Sequence, residues 1–281
     1  MMNNFQQWQK NKNYLGSSET IRETSINDIW WFIGFVEGDG SFIVSKDHMG
    51  KTRLFFIINQ KDPRVLWKVK SILGIGKVSK YNNFHRYVLT KHDHILFLIY
   101  LFNGRLLLNK TNERFKLWLL TKKYSNIVYK SNDYNSFTLK NAWFAGFIEA
   151  EGCFNGQFKE NLKRNGETSL QTSLRFKVDQ KNELNLLRKI KESFNCGHVY
   201  HRKNKEYALF EIGDHDNLVY IIEYLDIYSL KGVKNISFVR FKKIWNRINL
   251  KQHLDIPSLK VKNRLINLIK SINKIDEDRV L

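Results

Sequence analysis

The sequence predicts an α+β fold in which one αββαββα unit occurs twice. Residues 31–40 read WFIGFVEGDG and residues 143–152 read WFAGFIEAEG, so an aromatic pair, two small residues and two acids recur at the same spacing. The same order of predicted strands and helices follows each copy. Residues 60–61 and 180–181, which follow the second predicted strand in each half, are both Gln-Lys. The repeat therefore covers a whole folding unit rather than one short motif.

Length and composition allow one or two domains and indicate a polyanionic partner. The 281 residues, of which 42% are hydrophobic, can fill one large core or two ordinary ones. Lys and Arg total 47 against 27 Asp and Glu, which gives a net charge of +20 and favours a polyanion as partner. Cys153 and Cys196 are too few for a disulfide framework. No run of eighteen apolar residues occurs, so we expect no transmembrane helix and no membrane partner.

Amino-acid usage predicts an AT-rich genome. Pro occurs only 2 times and Ala only at positions 142, 145, 150 and 208, whereas Asn, Lys and Ile are abundant. Residues 1–25 have neither a secretory apolar core nor an Arg-rich, acid-poor transit pattern. We therefore expect an organelle-encoded protein of the mitochondrion, although an AT-rich bacterium would show similar usage.

The first repeat is predicted at residues 28–122, after an N-terminal arm at residues 1–27. Its first helix begins near Asp28, where Ser25 or Asn27 can cap the free amide groups. Apolar periodicity then predicts two strands, a helix, two strands and two helices. Their positions are residues 41–47, 52–59, 62–73, 77–81, 85–90, 93–102 and 111–122.

The second repeat is predicted at residues 141–250, after a linker at residues 123–140 that is rich in Lys, Ser and Asn. A Lys-rich tail at residues 251–281 contains one more amphipathic helix, at residues 258–272. The order of elements after the second motif matches the first repeat. Their positions are residues 153–160, 169–179, 182–194, 198–202, 206–212, 216–225 and 233–248.

Small residues lie four positions apart in both copies of the motif. Gly34 and Gly38 share one face of the first helix, and Gly146 and Ala150 share the corresponding face of the second. Small side chains on one face allow another backbone to approach closely. The remaining motif residues are apolar all round, which indicates burial on every side. We therefore predict that the two helices pack against each other along these small faces.

This packing would bring Asp39 and Glu151 together where both helices end. Two close carboxylates at the negative ends of helices repel each other, and one would protonate unless a cation lay between them. Oxygen ligands of this kind suit Mg²⁺, which keeps water ligands and bridges to phosphate, so the arrangement implies metal-assisted phosphodiester hydrolysis. Glu37 and Glu149 point elsewhere around the helix, and we predict that they are structural hydrogen-bonding acids.

Both segments resemble the LAGLIDADG motif, and residues 28–248 resemble a single-chain, two-repeat LAGLIDADG homing endonuclease. The resemblance implies that the motif helices join the repeats and that the antiparallel sheets form a DNA-binding saddle. It also implies a monomer that hydrolyses both strands of a long, asymmetric double-stranded DNA target with Mg²⁺ and leaves short 3′ overhangs. Mn²⁺ would substitute for Mg²⁺, and Ca²⁺ would support binding without cleavage.

The resemblance assigns the metal to the last acid of each motif, here Asp39 and Glu151. The residues before them, Gly38 and Ala150, complete the expected metal-binding positions. The chain has both acids, so the metal site is expected to be intact.

Four further catalytic positions are implied by the resemblance. Gln60 and Gln180 match a Gln at the end of the second strand that orients water near the metal. Lys110 and Lys234 match a Lys near the scissile phosphates, and Lys231 competes with Lys234 for this position. A solvated surface Lys is the alternative for each.

Alternation along the strands assigns the side chains that would face DNA. In the second repeat Arg, Lys, Asn and Gln form an outward row that suits guanine and adenine edges. The first repeat mixes polar residues with Ile43, Phe55 and Ile57, which indicates either contact with thymine methyl groups or a register shifted by one residue. Phosphate contact or simple exposure is the alternative for any single side chain. The predicted rows are Asn155, Gln157, Lys159, Gln171, Ser173, Arg175, Lys177, His198, Tyr200 and Arg202, and Ser45, Lys51, Arg53, Lys77, Ser79, Tyr81 and Arg86.

A second function on the same fold is a group I intron RNA maturase, alone or beside cleavage, with the protein's own intron RNA as partner. A DNA-binding regulator is a third. Either could lose the motif acids without penalty, whereas Asp39 and Glu151 are both present. Retention of both acids favours the endonuclease.

Overall fold

Two four-stranded antiparallel sheets, one from each half of the chain, carry the architecture. The computed structural model describes residues 24–46, 48–162, 168–202, 206–251 and 259–274. The first 23 residues of the predicted arm therefore lie outside the described residues. Position 47, where a predicted strand ends, and position 258, where the predicted tail helix begins, also lie outside them. In the described part of the chain, no helix has the length and hydropathy needed to cross a bilayer.

The first repeat contains four helices and four strands in the predicted order. Helix α1 is followed directly by β1, so the motif acid Asp39 is the last residue of the helix. The elements are α1 (Ile26–Asp39), β1 (Gly40–Lys46), β2 (Thr52–Gln60), α2 (Arg64–Leu73), β3 (Lys77–Lys80), β4 (His85–Leu89), α3 (His92–Phe102) and α4 (Asn109–Leu119).

The second repeat follows a linker that contains one short 3₁₀ turn, Tyr134–Ser136. It has the same order of elements, and one additional helix follows it. The elements are α5 (Trp143–Glu151), β5 (Gly152–Leu162), β6 (Thr168–Lys181), α6 (Leu184–Phe194), β7 (His198–Arg202), β8 (Tyr207–Ile212), α7 (Leu218–Ile227), α8 (Lys234–Asn249) and α9 (Leu259–Lys270).

Helix ends follow local capping chemistry. The Ser25 side chain accepts a hydrogen bond from the Asp28 amide at 3.1 Å, so Ser25 is the cap and the alternative cap, Asn27, lies inside α1. Helix α6 begins at Leu184 rather than at residue 182, because Asn182 has a left-handed φ of 60°. A helical pattern in the sequence continues through such a position, which explains the error in the prediction.

The two sheets share one topology. Their strand orders are β1-β2-β4-β3 and β5-β6-β8-β7, with every neighbouring pair antiparallel. One face of each sheet packs against helices, and buried phenylalanines such as Phe56 and Phe176 lie on that face. Among the described elements, no helix packs on the other face. Val44 shares a face with Phe42 by alternation along β1, yet it is 40% exposed because it lies towards the exposed end of the strand.

Helices α1 and α5 pack along their small residues, as predicted. A Cβ on Gly34 would overlap the carbonyl oxygen of Trp143 and lie 2.7 Å from its carbonyl carbon. The reciprocal contact is the same, since a Cβ on Gly146 would lie 2.7 Å from the carbonyl carbon of Trp31. Unstrained carbon contacts are about 3.5–4.0 Å. The two helices therefore approach to a distance that only glycine permits.

The C-terminal tail, whose role could not be predicted, supports the second sheet. A Cβ on Gly156 of β5 would lie 2.6 Å from the Cδ1 atom of Ile272, just after α9. The side chain of Asn273 donates to the Phe154 carbonyl at 2.8 Å. Leu265 and Ile269 of α9 are buried against this end of the core. In the described chain, the first repeat has no counterpart of α9.

We predict that Gly34→Ala and Gly146→Ala each lower the free energy of unfolding by about 3 kcal/mol or more, because the methyl group separates the helices. Urea denaturation measures this quantity. Gly213→Ala is the control, since a Cβ there meets its nearest neighbour at 3.3 Å. Equal effects of the three substitutions would contradict the close approach.

Candidate active site

Asp39 and Glu151 lie at the same end of the helix pair. Each is the last residue of its motif helix, and the small face of α1 continues to this end. A Cβ on Gly38 would overlap the Ala150 methyl group and lie 2.9 Å from Cγ of Glu151. The two acids therefore come together as predicted, one from each repeat.

The environment of Asp39 opposes its ionisation. Burial raises the pKa of Asp39 to about 6, and the charge of Glu151 adds to this rise. The Gln60 side chain opposes the rise by donating from Nε2 to Oδ2 of Asp39 at 2.6 Å, and Lys234 and Lys110 act in the same direction. A cation between the two carboxylates would remove the repulsion that remains.

The two glutamines do not have equivalent contacts. Gln60 is hydrogen-bonded to Asp39, the acid of its own repeat. Gln180 is 4% exposed and makes no hydrogen bond to Glu151 in the described part of the chain. Glu151 instead has Lys110 as a neighbour, with the lysine Nζ 3.9 Å from Oε1. The structure thus brings Gln60 to Asp39, and within the described residues it gives Gln180 no matching contact with Glu151.

The two lysines also differ. Lys234 donates from Nζ to the Ala150 carbonyl at 3.1 Å, and burial lowers the pKa of its ammonium group. Lys110 has a side chain that is 43% exposed. Lys231 forms a 2.7 Å ion pair with Asp28 in the first turn of α1, about 16 Å along the helix from its acidic end. Lys234 rather than Lys231 therefore occupies the site.

The inner motif acids bind backbone amides, which confirms the prediction made for them. Glu37 accepts hydrogen bonds from the amides of Leu107 and Leu108, the latter at 3.1 Å. Glu149 accepts from the amides of Lys231 and Gly232 at 2.7 and 2.9 Å. These amides precede helices α4 and α8, where a negative charge is favourable. Each motif helix therefore anchors the helix that carries its repeat's lysine.

The oxygen atoms at this end suit a hard cation. Asp39 and Glu151 supply carboxylates, and Gly38 and Ala150 have carbonyl groups in the last turns of the helices. Over the described residues, no cluster of three or more His, Cys, Asp or Glu side chains could hold a metal ion. A cavity of about 180 Å³ beside Asp39 leaves room for water or phosphate as further ligands. Few protein ligands and many waters are typical of Mg²⁺.

The open face of the second sheet carries the predicted polar row. Asn155 is paired with Arg175 and Gln157 with Ser173, so these side chains share one face. His198 lies directly opposite Glu211, an acid that the sequence interpretation missed. Alternation along β8 could have revealed it.

Glu211 changes the charge of this row. It is 9% exposed, and its carboxylate lies 3.4 Å from Arg175 and 3.1 Å from Lys177. Two of the predicted DNA-facing cations therefore share one anion. The backbone of Arg202 continues the row in β7, but its side chain is outside the described residues.

The first sheet has the register that the sequence predicted, without a shift of one residue. Ile43 pairs with Phe55 on the same face as Ser45 and Arg53, so the apolar residues share that face. Lys51 precedes β2 and is exposed.

At the far edge of this face, Arg86 is opposite Ser79 in β3. Its guanidinium group lies 4.8 Å from the centre of the Tyr81 ring and donates to Asn59 at 2.9 Å. Lys77 pairs with Val88 on the same face. Asn59 was not among the predicted residues, although alternation along β2 places it beside them.

A family model described as LAGLIDADG endonuclease matches residues 32–122 and 144–245. The probable intron-encoded endonuclease 4 of Neurospora crassa is 34% identical over 260 residues, which cover 89% of this chain and 45% of the relative. The probable intron-encoded endonuclease Cox1-I1b of Schizosaccharomyces pombe is 28% identical over 283 residues, or 86% of this chain and 68% of the relative. The intron-encoded RNA maturase bI4 of Saccharomyces cerevisiae is 26% identical over 161 residues, which cover 56% of this chain and 24% of that protein.

Solved structures have the same fold. I-SmaMI bound to an uncleaved DNA target with calcium ions superposes with a TM-score of 0.71 at 19% identity, covering 88% of this chain and 99% of that one. The homing endonuclease I-LtrWI bound to target DNA gives 0.70 at 21% identity, covering 88% and 98%. These likenesses establish the two-repeat α+β architecture. The chain spans less than half of the Neurospora relative that it matches.

We predict that Glu149→Ala lowers the free energy of unfolding by about 3 kcal/mol, because buried backbone amides lose their acceptor. Chemical denaturation gives the value. Glu192→Ala removes an acid whose side chain is 68% exposed and should change stability by about 0.5 kcal/mol or less. A Glu149 variant as stable as the Glu192 variant would refute the anchoring role.

Proposed function

The chain belongs to the LAGLIDADG endonuclease family, and we propose that it is a homing endonuclease that hydrolyses both strands of a long, asymmetric DNA target. The observation that carries this proposal is the convergence of Asp39 and Glu151 at one end of the helix pair. They come from repeats related by a pseudo-two-fold axis, and the two strands of DNA are related in the same way. Each of the two acids can therefore serve one strand of the DNA.

We propose Mg²⁺ as the metal, held by Asp39 and Glu151 with the carbonyl groups of Gly38 and Ala150. When bound, it would neutralise charge at the scissile phosphate and acidify water. Mn²⁺ is expected to substitute, and Ca²⁺ to support binding without cleavage. The raised pKa of Asp39 supports this assignment, since a site with two facing carboxylates gains most from a divalent cation.

The chain's own side chains supply orientation and charge. Gln60 donates to Asp39 through Nε2, which leaves Oε1 free to accept a hydrogen bond from a water molecule. Gln180 has the matching place in the other repeat. Lys110 and Lys234 place positive charge beside the acids, where it stabilises negative charge that develops on phosphate oxygens.

The open faces of the two sheets are the proposed DNA-binding surface. Arg, Lys, Asn and Gln side chains on the second sheet suit guanine and adenine in the major groove. Ile43, Phe55 and Ile57 on the first sheet suit thymine methyl groups. Because the two faces differ, an asymmetric target with weak two-fold symmetry is expected.

We further propose that the protein is a monomer, with residues 28–122 and 141–250 as its repeats and residues 123–140 as linker. Residues 1–27 and 251–281 flank them. Relatives named as intron-encoded, one of them from a cox1 intron, support an origin in mitochondrial DNA. Amino-acid usage is consistent with that location.

An RNA maturase acting on its own intron is the second candidate, because one relative is named as a maturase. Asp39 and Glu151 favour cleavage. Selection of cleaved sequences from a randomised DNA library separates the two functions, since only an endonuclease enriches a target. Absence of any cleaved sequence in Mg²⁺ would refute the endonuclease proposal.

We predict that Asp39→Asn and Glu151→Gln each reduce double-strand cleavage of the selected target by at least ~100-fold. Loss of a metal ligand should reduce activity more than loss of a residue that only hydrogen-bonds to a ligand. Binding should persist. Gel assays of cleavage and of binding measure the two effects. Glu113→Gln on the exposed side of α4 is the control and should cleave normally. Full activity of either site variant would contradict the metal assignment.

We predict that affinity for the target falls by about a thousandfold between roughly 50 and 200 mM salt, because several phosphate contacts release counterions. Fluorescence anisotropy in Ca²⁺ measures binding without turnover. A flat salt dependence would rule out the basic sheet faces as the DNA-binding surface.

A further inference from the structure

The helix that carries Lys110 is held by an acid from the opposite repeat. Glu183 lies just before α6 in the second repeat and is only 4% exposed. Its carboxylate accepts from the backbone amide of Asn109 at 2.7 Å and from the Asn109 side chain at 3.3 Å. It also accepts from the backbone amide of Lys110. The contact therefore crosses from one repeat to the other at the start of α4.

These bonds complete the N-terminus of α4. The first amides of a helix have no acceptor within the helix. Residue Leu108 at the cap position provides no side-chain acceptor, and Glu37 binds the amides of Leu107 and Leu108 only. Glu183 takes the next two amides. Two acids, one from each repeat, are thus used at this helix start.

In the second repeat, a single acid accepts the hydrogen bonds of the amides at the start of the lysine-bearing helix. Glu149 accepts from the amide of Lys234 itself at 3.3 Å, in addition to the two amides before it. Pro63 occupies the position in the first repeat that corresponds to Glu183, three residues after the shared Gln. Proline has no carboxylate. The amide of Lys234 therefore has its acceptor in its own repeat, whereas the amide of Lys110 has its acceptor in the other repeat.

The side chains of Lys234 and Lys110 also differ in how firmly they are held. The Nζ atom of Lys234 is fixed on the Ala150 carbonyl at 3.1 Å. The Nζ atom of Lys110 lies 3.9 Å from Glu151, and its side chain is 43% exposed. Because this ion pair is long and the side chain is exposed, the hydrogen-bonded backbone is the best-anchored part of Lys110.

We propose that Glu183 is a positioning residue for Lys110, so that the first amides of the Lys110 helix depend on an acceptor in the other repeat, whereas the amide of Lys234 does not. The proposal rests on the endonuclease function stated above. It follows that loss of Glu183 impairs cleavage of one DNA strand selectively, because only the half-site with Lys110 loses its support.

The first test is strand-resolved, single-turnover cleavage by Glu183→Gln, with each strand of the selected target labelled separately. We expect one strand to be cut ~10-fold more slowly, with the other changed less than about twofold, so that nicked DNA accumulates. Glu192→Gln is the matched control on α6: it removes the same charge from an exposed acid and should leave both rates unchanged. Equal slowing of both strands would overturn the proposal, since a general structural defect has that effect.

A double-mutant comparison identifies the partner. In a Lys110→Ala background, Glu183→Gln should add less than about twofold, because both changes act on the same strand through the same group. In a Lys234→Ala background the two effects should multiply. Independent effects of Glu183 and Lys110 would overturn the proposal.

Amide hydrogen exchange tests the contact without DNA, metal or activity. In Glu183→Gln, the amides of Asn109 and Lys110 should exchange ~10-fold faster, while the amide of Lys234 is unchanged. If that variant melts below the assay temperature, Glu183→Asp allows the same comparison. Unchanged exchange at Lys110 would overturn the proposal even in an active enzyme. An inactive wild-type protein would instead refute the endonuclease function, and exchange would still decide the contact.

Discussion

The close approach of α1 and α5 is the constraint on which the rest of the structure depends. Gly34 and Gly146 each lie against a carbonyl group of the opposite helix, where no side chain fits. Because each motif helix ends in an acid, the separation of the helices also sets the separation of Asp39 and Glu151. The residues that join the repeats and those that form the site are thus consecutive in sequence and inseparable in geometry.

Buried acids on the motif helices also fix the position of the helices that carry the two lysines. Glu37 and Glu149 project from the motif helices and bind the amides that begin α4 and α8, so each lysine-bearing helix is fixed to the interface. Burial raises the pKa of Glu37 to about 8 and also raises the pKa of Glu149, while the bound amides oppose these rises. Burial therefore outweighs the bound amides in both acids, although several donors converge on each carboxyl group.

Much of the fold and the centre of the site could be predicted from the sequence, because duplication and small-residue spacing are local patterns. Glu37 and Glu149 could also be distinguished from the terminal acids by their position around a helix. Glu183 could not, since its partner Asn109 lies 74 residues away and the repeat alignment gives proline at the equivalent position. Glu211 required the pairing of β6 with β8 to reveal its contact with Arg175, 36 residues away.

The second sheet has a longer hairpin than the first, and helix α9 packs against it. Strand β6 has 14 residues where β2 has 9, and α9 covers the base of the longer hairpin through Ile269 and Ile272. At about 3.3 Å per residue, the difference is roughly 16 Å, or the length of about five base pairs. On the proposed function, the second sheet would follow its side of the target further than the first. The recognition sequence would then be longer on one side of the cut than on the other.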